Sequence, residues 1–160
     1  MPSVLHTCLG NICRSPMAEA VFRDVVKKRG LEAEFEVIDS CGTAGYHIGE
    51  EPDERTVAVC RKNGIPIDHK ARQLQRSDFD KFDYILAMDG WGNLKNIEKV
   101  RPKGSKAKVA LFGSFDDGKD IEDPYYGGKD GFEKTYEQCV RYSEALLKEM
   151  GYPSPSDAKM

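Results

Sequence analysis

Apolar residues along the chain follow two rhythms. Short runs read as strands: "SVLHTC" (Ser3–Cys8), "FEVID" (Phe35–Asp39), "FDYILAMD" (Phe82–Asp89) and "AKVALFG" (Ala107–Gly113). The third has a nearly continuous apolar centre, as expected where both faces of a sheet are covered. Between the runs, apolar positions recur every three or four residues. In "SPMAEAVFRDVVKKRG", Met17, Val21, Phe22, Val25 and Val26 share a face and Gly30 ends the helix. Ser15 is its candidate cap, and Pro16 suits a first turn, where a missing N–H costs nothing. "TVAVCRKNG" (Thr56–Gly64) and the more polar "NLKNIEKVR" (Asn93–Arg101) predict shorter helices. "GFEKTYEQCVRYSEALLKEMG" predicts a long one, with Phe132, Tyr136, Cys139, Val140, Ser143 and Leu147 near one stripe.

Strands separated by helices imply parallel pairing and right-handed crossovers. The pattern predicts one α/β domain over residues 1–152, a three-layer fold with a central parallel four-stranded sheet and helices on both faces. Residues 153–160 read as a flexible C-terminal tail. In such folds ligands sit at the carboxyl ends of the strands, where helix N-termini converge. Cys8 stands at the carboxyl end of the first strand.

Composition narrows the class. The chain has 160 residues, 39% of them hydrophobic and 32% charged, which fits an ordinary globular domain. A net charge of −3 leaves no basic footprint for nucleic acid or anionic lipid. No apolar run approaches a membrane span, and the first seven residues are too short and uncharged for a signal peptide. Five cysteines, an odd number spread widely, argue for free thiols in a reducing compartment, with the cytoplasm as the expected location.

The turn between the first strand and first helix carries the chemistry. "CLGNICRS" must reverse direction in about seven residues, and Gly10 and Asn11 are residue types that tolerate left-handed backbone. Successive N–H groups can then face inward and feed a helix N-terminus, forming a phosphate-binding loop from Leu9, Gly10, Asn11, Ile12, Cys13, Arg14 and Ser15. The planar guanidinium of Arg14 matches two oxygens of a tetrahedral oxyanion. Cys8 would lie under that positive field, the setting that favours a thiolate nucleophile. Ser15 is placed to hydrogen-bond the sulfur as it later departs. A zinc site from Cys8 and Cys13 lacks a second ligand pair at matching spacing, and a Walker-type loop would need Gly-Lys-Ser/Thr where this chain has Cys-Arg-Ser. A purely structural turn is the remaining alternative.

"CLGNICRSP" resembles the signature loop of the low-molecular-weight protein tyrosine phosphatases, the Cys-x₅-Arg-Ser form near the N-terminus. The likeness continues in order through "DSCGT", "GIPIDHKARQ", "DYILAMD", "KVALFGS" and "EDPYYGG", from about Val4 to Leu147. Cys-x₅-Arg alone occurs in other phosphatase folds; its early position combined with a late "DPYY" is the specific part. The resemblance implies phosphotyrosine hydrolysis through a phosphocysteine, with no metal and no cofactor. Catalytic roles would fall to Cys8, Arg14 and Asp123.

That chemistry must expel a phenolate whose conjugate acid has a pKa of about 10, and a positioned carboxylic acid typically supplies about 10²–10⁴-fold. By resemblance Asp123 is that acid, then the base for the hydrolytic water; Asp-Pro in isolation would read as a turn. Asn11, Ser15, Ser40 and His69 would form a buried network supporting the loop. Tyr46, Tyr125 and Tyr126 would line a cleft deep enough for an aryl phosphate, and the two adjacent tyrosines are candidate phosphorylation sites. Expected partners are phosphotyrosine proteins or small aryl phosphates, with inorganic phosphate as product, acting on a monomer or weak homodimer. Cys13 is expected to close a protective disulfide with Cys8 under peroxide.

Two places depart from the family pattern. His6 and Thr7 precede the nucleophile where apolar residues are usual, and a structural role is expected for His6. After "AMD" this chain has "GWGN", one residue longer than usual, with its only tryptophan. Trp91 is expected on an exposed loop at the cleft rim. The rival readings are an arsenate reductase on the same fold, which would need a relay of further thiols, and a phosphotyrosine reader without turnover.

Overall fold

The structure is a computed structural model that describes residues 1–124 and 129–152. Four strands, β1 (Ser3–Cys8), β2 (Val37–Gly42), β3 (Tyr84–Ala87) and β4 (Lys108–Leu111), form one parallel sheet in the order β2-β1-β3-β4. Among the described residues, five α-helices connect and cover them: α1 (Arg14–Lys28), α2 (Glu54–Lys62), α3 (Asp78–Lys81), α4 (Asn93–Val100) and α5 (Lys129–Glu149). The predicted three-layer α/β architecture is observed. Among the described residues, no helix is long and apolar enough to cross a membrane.

β1 is central, pairing with β2 from Ser3 opposite Val37 to Cys8 opposite Gly42, and with β3 from Val4 opposite Tyr84. Its period-two alternation divides the core. Val4 and Cys8 face α1 and α5, packing with Phe22, Phe112, Tyr142 and Leu146, while Leu5 faces Phe79, Phe82 and Ile97 on the side of α3 and α4. Met17, Val21 and Phe22 of α1 are fully buried, each contributing about 1.5–3 kcal/mol of transfer free energy.

His6 and Thr7 therefore point to opposite faces. His6 is fully buried between the rings of Phe22 and Phe112, at centroid distances of 5.5 and 5.2 Å. Its Nδ1 reaches the Asp39 carbonyl at 3.4 Å, and its Nε2 has no partner among the described residues. Burial pushes the imidazole down to about 4, so the ring is neutral at neutral pH. Thr7 lies 3.5 Å from the Cys41 sulfur.

Several boundaries differ from the pattern. β2 starts two residues later than "FEVID" and continues through Ser40, Cys41 and Gly42, because pairing with β1 outweighs the weak strand preference of Ser and Gly. α2 starts at Glu54 because the Asp53 carboxylate accepts from the Arg55 amide at 2.9 Å. α3 is a single turn without an apolar repeat of its own. α1 takes Cys13 as its N-cap residue, with no side-chain cap, so the expected Ser15 cap is not formed. Residues 153–160, expected as a tail, lie outside the described residues.

Candidate active site

β1 delivers Cys8 to the sheet's carboxyl edge, and the chain curls through Leu9–Cys13 into α1. The carbonyls of Cys8, Leu9 and Ile12 turn outward to the amides of Thr43, Ala44 and Asp53, at 2.9, 2.9 and 2.8 Å. Asn11 takes the left-handed conformation foreseen for it, with φ of 59°. Its amide donates to the Cys8 sulfur at 3.2 Å. The end of β2 presses against this curl: a Cβ on Gly42 would stand 2.6 Å from the Leu9 carbonyl oxygen. "DSCGT" thus carries a glycine for close approach.

Ser15 is drawn into the site instead of capping. Its hydroxyl lies 3.0 Å from the Cys8 sulfur, accepts from Asn11 Nδ2 at 2.8 Å and donates to the Cys41 carbonyl at 3.2 Å. Asn11 Nδ2 also donates to Ser40 at 3.1 Å, and Asn11 Oδ1 accepts from His69 Nε2 at 2.7 Å and from the Arg72 amide at 3.0 Å. Asn11, Ser15, Ser40 and His69 are brought together as the sequence suggested.

The network extends further than expected. Ser40 donates to Glu19 at 2.8 Å, and His69 Nδ1 lies 3.2 Å from the same carboxylate. Arg23 donates to the other Glu19 oxygen and to the Ile38 carbonyl. Burial lifts the Glu19 carboxyl above the usual range, against the opposing pull of His69, Ser40 and Arg23. Ser15, Glu19 and Arg23 recur every four residues as a polar stripe along α1, and that spacing was the available signal for the last two. Glu19, Asp39 and His69 offer ligand atoms within 4.8 Å of one another. Arg23 and Arg72 already pair with these two carboxylates.

Arg14 is 5% exposed and held from the side. Its Nη1 donates to Asp89 Oδ2 at 2.7 Å and to the Ile121 carbonyl at 2.9 Å. Burial works to raise the Asp89 carboxyl, but the Asn93 and Gly92 amides and Arg14 outweigh it and hold the group below its usual range. Asp89 was missed as a site residue; nothing local in "DYILAMD" points to an arginine 75 positions earlier.

A pocket of about 200 Å³ opens over the curl, lined by Cys8, Leu9, Gly10, Ile12, Cys13 and Arg14 together with Tyr46, His47 and Asp123. Cys8, Arg14 and Asp123, singled out separately in the sequence, share it. His47 was not foreseen. Its Nδ1 lies 2.5 Å from Glu50, and its ring packs so closely on Gly10 that a Cβ there would meet it at 3.0 Å. Trp91 is absent from this lining; it is 82% exposed, with the Lys95 ammonium 4.5 Å from its ring centroid. Tyr125 and Tyr126 lie outside the described residues. All five cysteines are free and buried, and burial pushes the Cys13 thiol up to about 12 with the help of Asp53.

A thiol, an arginine and a carboxylate around one pocket at the carboxyl edge of a parallel sheet belong to the class of thiol-dependent phosphate hydrolases. Residues 3–153 match the family described as low molecular weight phosphotyrosine protein phosphatase. The relative from Schizosaccharomyces pombe bearing that description is 58% identical over 148 residues, covering 91% of this chain and 94% of its own. The human relative is 49% identical over 150 residues, again with 91% and 94% covered. Among solved structures, a protein tyrosine phosphatase from Entamoeba histolytica superposes with a TM-score of 0.88 at 34% identity, over 100% of both chains. The chain belongs to the low molecular weight phosphotyrosine protein phosphatase family, hydrolases that work through a phosphocysteine.

Proposed function

We propose that this chain hydrolyses phosphotyrosine in proteins, and small aryl phosphates, with Cys8, Arg14 and Asp123 as its catalytic residues. The carrying observation is that these three line one pocket. The phosphoryl group binds the amides of Leu9–Ser15 and the guanidinium of Arg14. The Cys8 thiolate attacks phosphorus, the phosphorus–phenol oxygen bond breaks, and Asp123 gives its proton to the departing oxygen. Water then attacks the phosphocysteine while Asp123 takes back a proton, releasing inorganic phosphate and the thiolate, which Ser15 stabilises as it leaves. The cradle stabilises the charge of both transition states without rearranging. Asn11, Ser15, Ser40 and His69 hold its shape, and Tyr46 forms a wall of the cleft.

The finer parts of the reading follow from the same site. Cleavage of simple phosphomonoesters in mildly acid solution would make the protein an acid phosphatase. Under peroxide, Cys8 becomes a sulfenic acid that condenses with the Cys13 thiol, expelling water and closing a reversible disulfide. Free buried thiols and a mild net charge support action in the cytoplasm, as a monomer or weak homodimer.

The test is p-nitrophenyl phosphate hydrolysis at pH 5–6 in EDTA, by the wild type, Cys8→Ser and Asp123→Ala. Wild-type turnover is expected, with none in Cys8→Ser and a loss of about 10²–10⁴-fold in Asp123→Ala. A clean wild-type protein that binds phosphotyrosine but does not turn it over would reassign the chain as a reader. Dependence on added thiol with arsenate as substrate would reassign it as a reductase.

A further inference from the structure

Leu9 and Tyr46, 43% and 76% exposed, form a ridge that belongs to two cavities at once. On one side is the pocket over Cys8; on the other is a groove of about 410 Å³. Its far side carries Arg76, from the segment before α3, and Lys99 and Val100, from the end of α4. Gln73 lies between, its side-chain amide donating to the Thr43 carbonyl at 3.2 Å. Among the described residues, no carboxylate lines the groove. Among the described residues, neither Arg76 nor Lys99 is engaged in an ion pair. In a chain of net charge −3, this is a local reversal of sign.

We propose that this groove is a subsite for an acidic side chain flanking the phosphotyrosine of a polypeptide substrate, an inference that rests on the phosphatase reading above. A chain whose phosphotyrosine fills the pocket and that runs over the ridge brings its next residue to the groove. A carboxylate there faces the cations of Arg76 and Lys99, and its aliphatic stem lies against Val100, which is 56% exposed, and Leu9. Small aryl phosphates end at the ridge and do not reach Arg76 or Lys99. The groove therefore separates protein substrates from one another without altering the chemistry of the pocket.

The experiment compares two phosphotyrosine peptides, identical except for Glu or Lys at the flanking positions, with p-nitrophenyl phosphate as internal reference. The wild type is expected to favour the Glu peptide about tenfold in kcat/KM at low salt, with the ratio shrinking toward one at high salt. The double variant Arg76→Glu/Lys99→Glu is expected to invert the ratio while p-nitrophenyl phosphate kinetics stay within about twofold. Arg76→Gln, a milder change at an exposed position, should reduce the ratio about threefold. Equal rates for the two peptides, or a Glu preference surviving the double reversal, overturn the subsite and leave the phosphatase reading intact. If the wild type turns over neither peptide nor reference, the phosphatase reading fails. Fluorescence anisotropy of the same labelled peptides then decides the subsite, and equal affinities overturn it.

Discussion

Two buried polar regions adjoin the end of β1. Around His6 the imidazole is held by shape, between two aromatic rings, with one long hydrogen bond and an orphan nitrogen. Around Asn11 all side-chain hydrogen-bonding groups of Asn11 and the Ser15 and Ser40 hydroxyls have partners, and the partners bond one another. The difference concerns what burial of polarity costs. A closed network specifies one arrangement of its members and tolerates burial. An open one is tolerated only while the group is neutral, so it carries a pH dependence in place of positional information.

Breaking the closed network should have the largest effect. Asn11→Ala strips partners from Ser15, Ser40, His69 and the Arg72 amide, and leaves an alanine at positive φ. A loss of about 3–5 kcal/mol in urea unfolding is expected, with a fall of about 100-fold or more in kcat/KM on an aryl phosphate. A loss below about 1 kcal/mol would show that the members do not depend on one another.

The open region predicts acid sensitivity. At pH 7 the His6 ring is neutral in both folded and unfolded chain. As the pH falls below about 6.5, the unfolded chain takes a proton that the folded chain refuses until about 4. Stability is therefore complete above pH 6.5 and declines toward pH 4, by up to about 3 kcal/mol from this group. The difference between wild type and His6→Leu in urea unfolding at pH 7 and pH 4 isolates it, because the carboxylates titrate in both proteins. A constant difference across that range would overturn the assignment.

The rim of the cradle sharpens the contrast at smaller scale. Asp89→Asn leaves the Ile121 carbonyl on Arg14 but removes its charged partner. A drop of about tenfold in kcat/KM is expected, and because the Asp89 carboxyl is held below its usual range in the folded chain, the variant should lose less stability on acidification than the wild type. Trp91→Ala marks the floor. With the ring 82% exposed, stability should stay within about 0.5 kcal/mol, as read from the urea midpoint.

The contrast also explains what the sequence disclosed. β1, α1 and the curl between them were legible because their signals are local: an apolar run, a helical repeat, and a Gly-Asn pair framed by Cys8 and Arg14. β2 was misjudged at its far end because its Ser-Cys-Gly segment becomes strand only by pairing with β1. Ser15 was assigned a cap because a serine before a proline usually serves as one; three partners claim its hydroxyl instead. Asp89 and His47 gave no warning. Their roles are contacts with residues dozens of positions away, and such contacts leave no periodicity to read.

The polar stripe on α1 has a further consequence for how this segment can change in length. An α-helix advances about 100° per residue. Deleting one residue between Ser15 and Glu19 would swing every position beyond it by that angle, uncoupling Glu19 and Arg23 from Ser40 and Ile38. Substitutions along the stripe can be graded, but insertions and deletions there cannot. The spacing from Ser15, which touches the sulfur, to Glu19 and Arg23 is thus fixed by helical geometry.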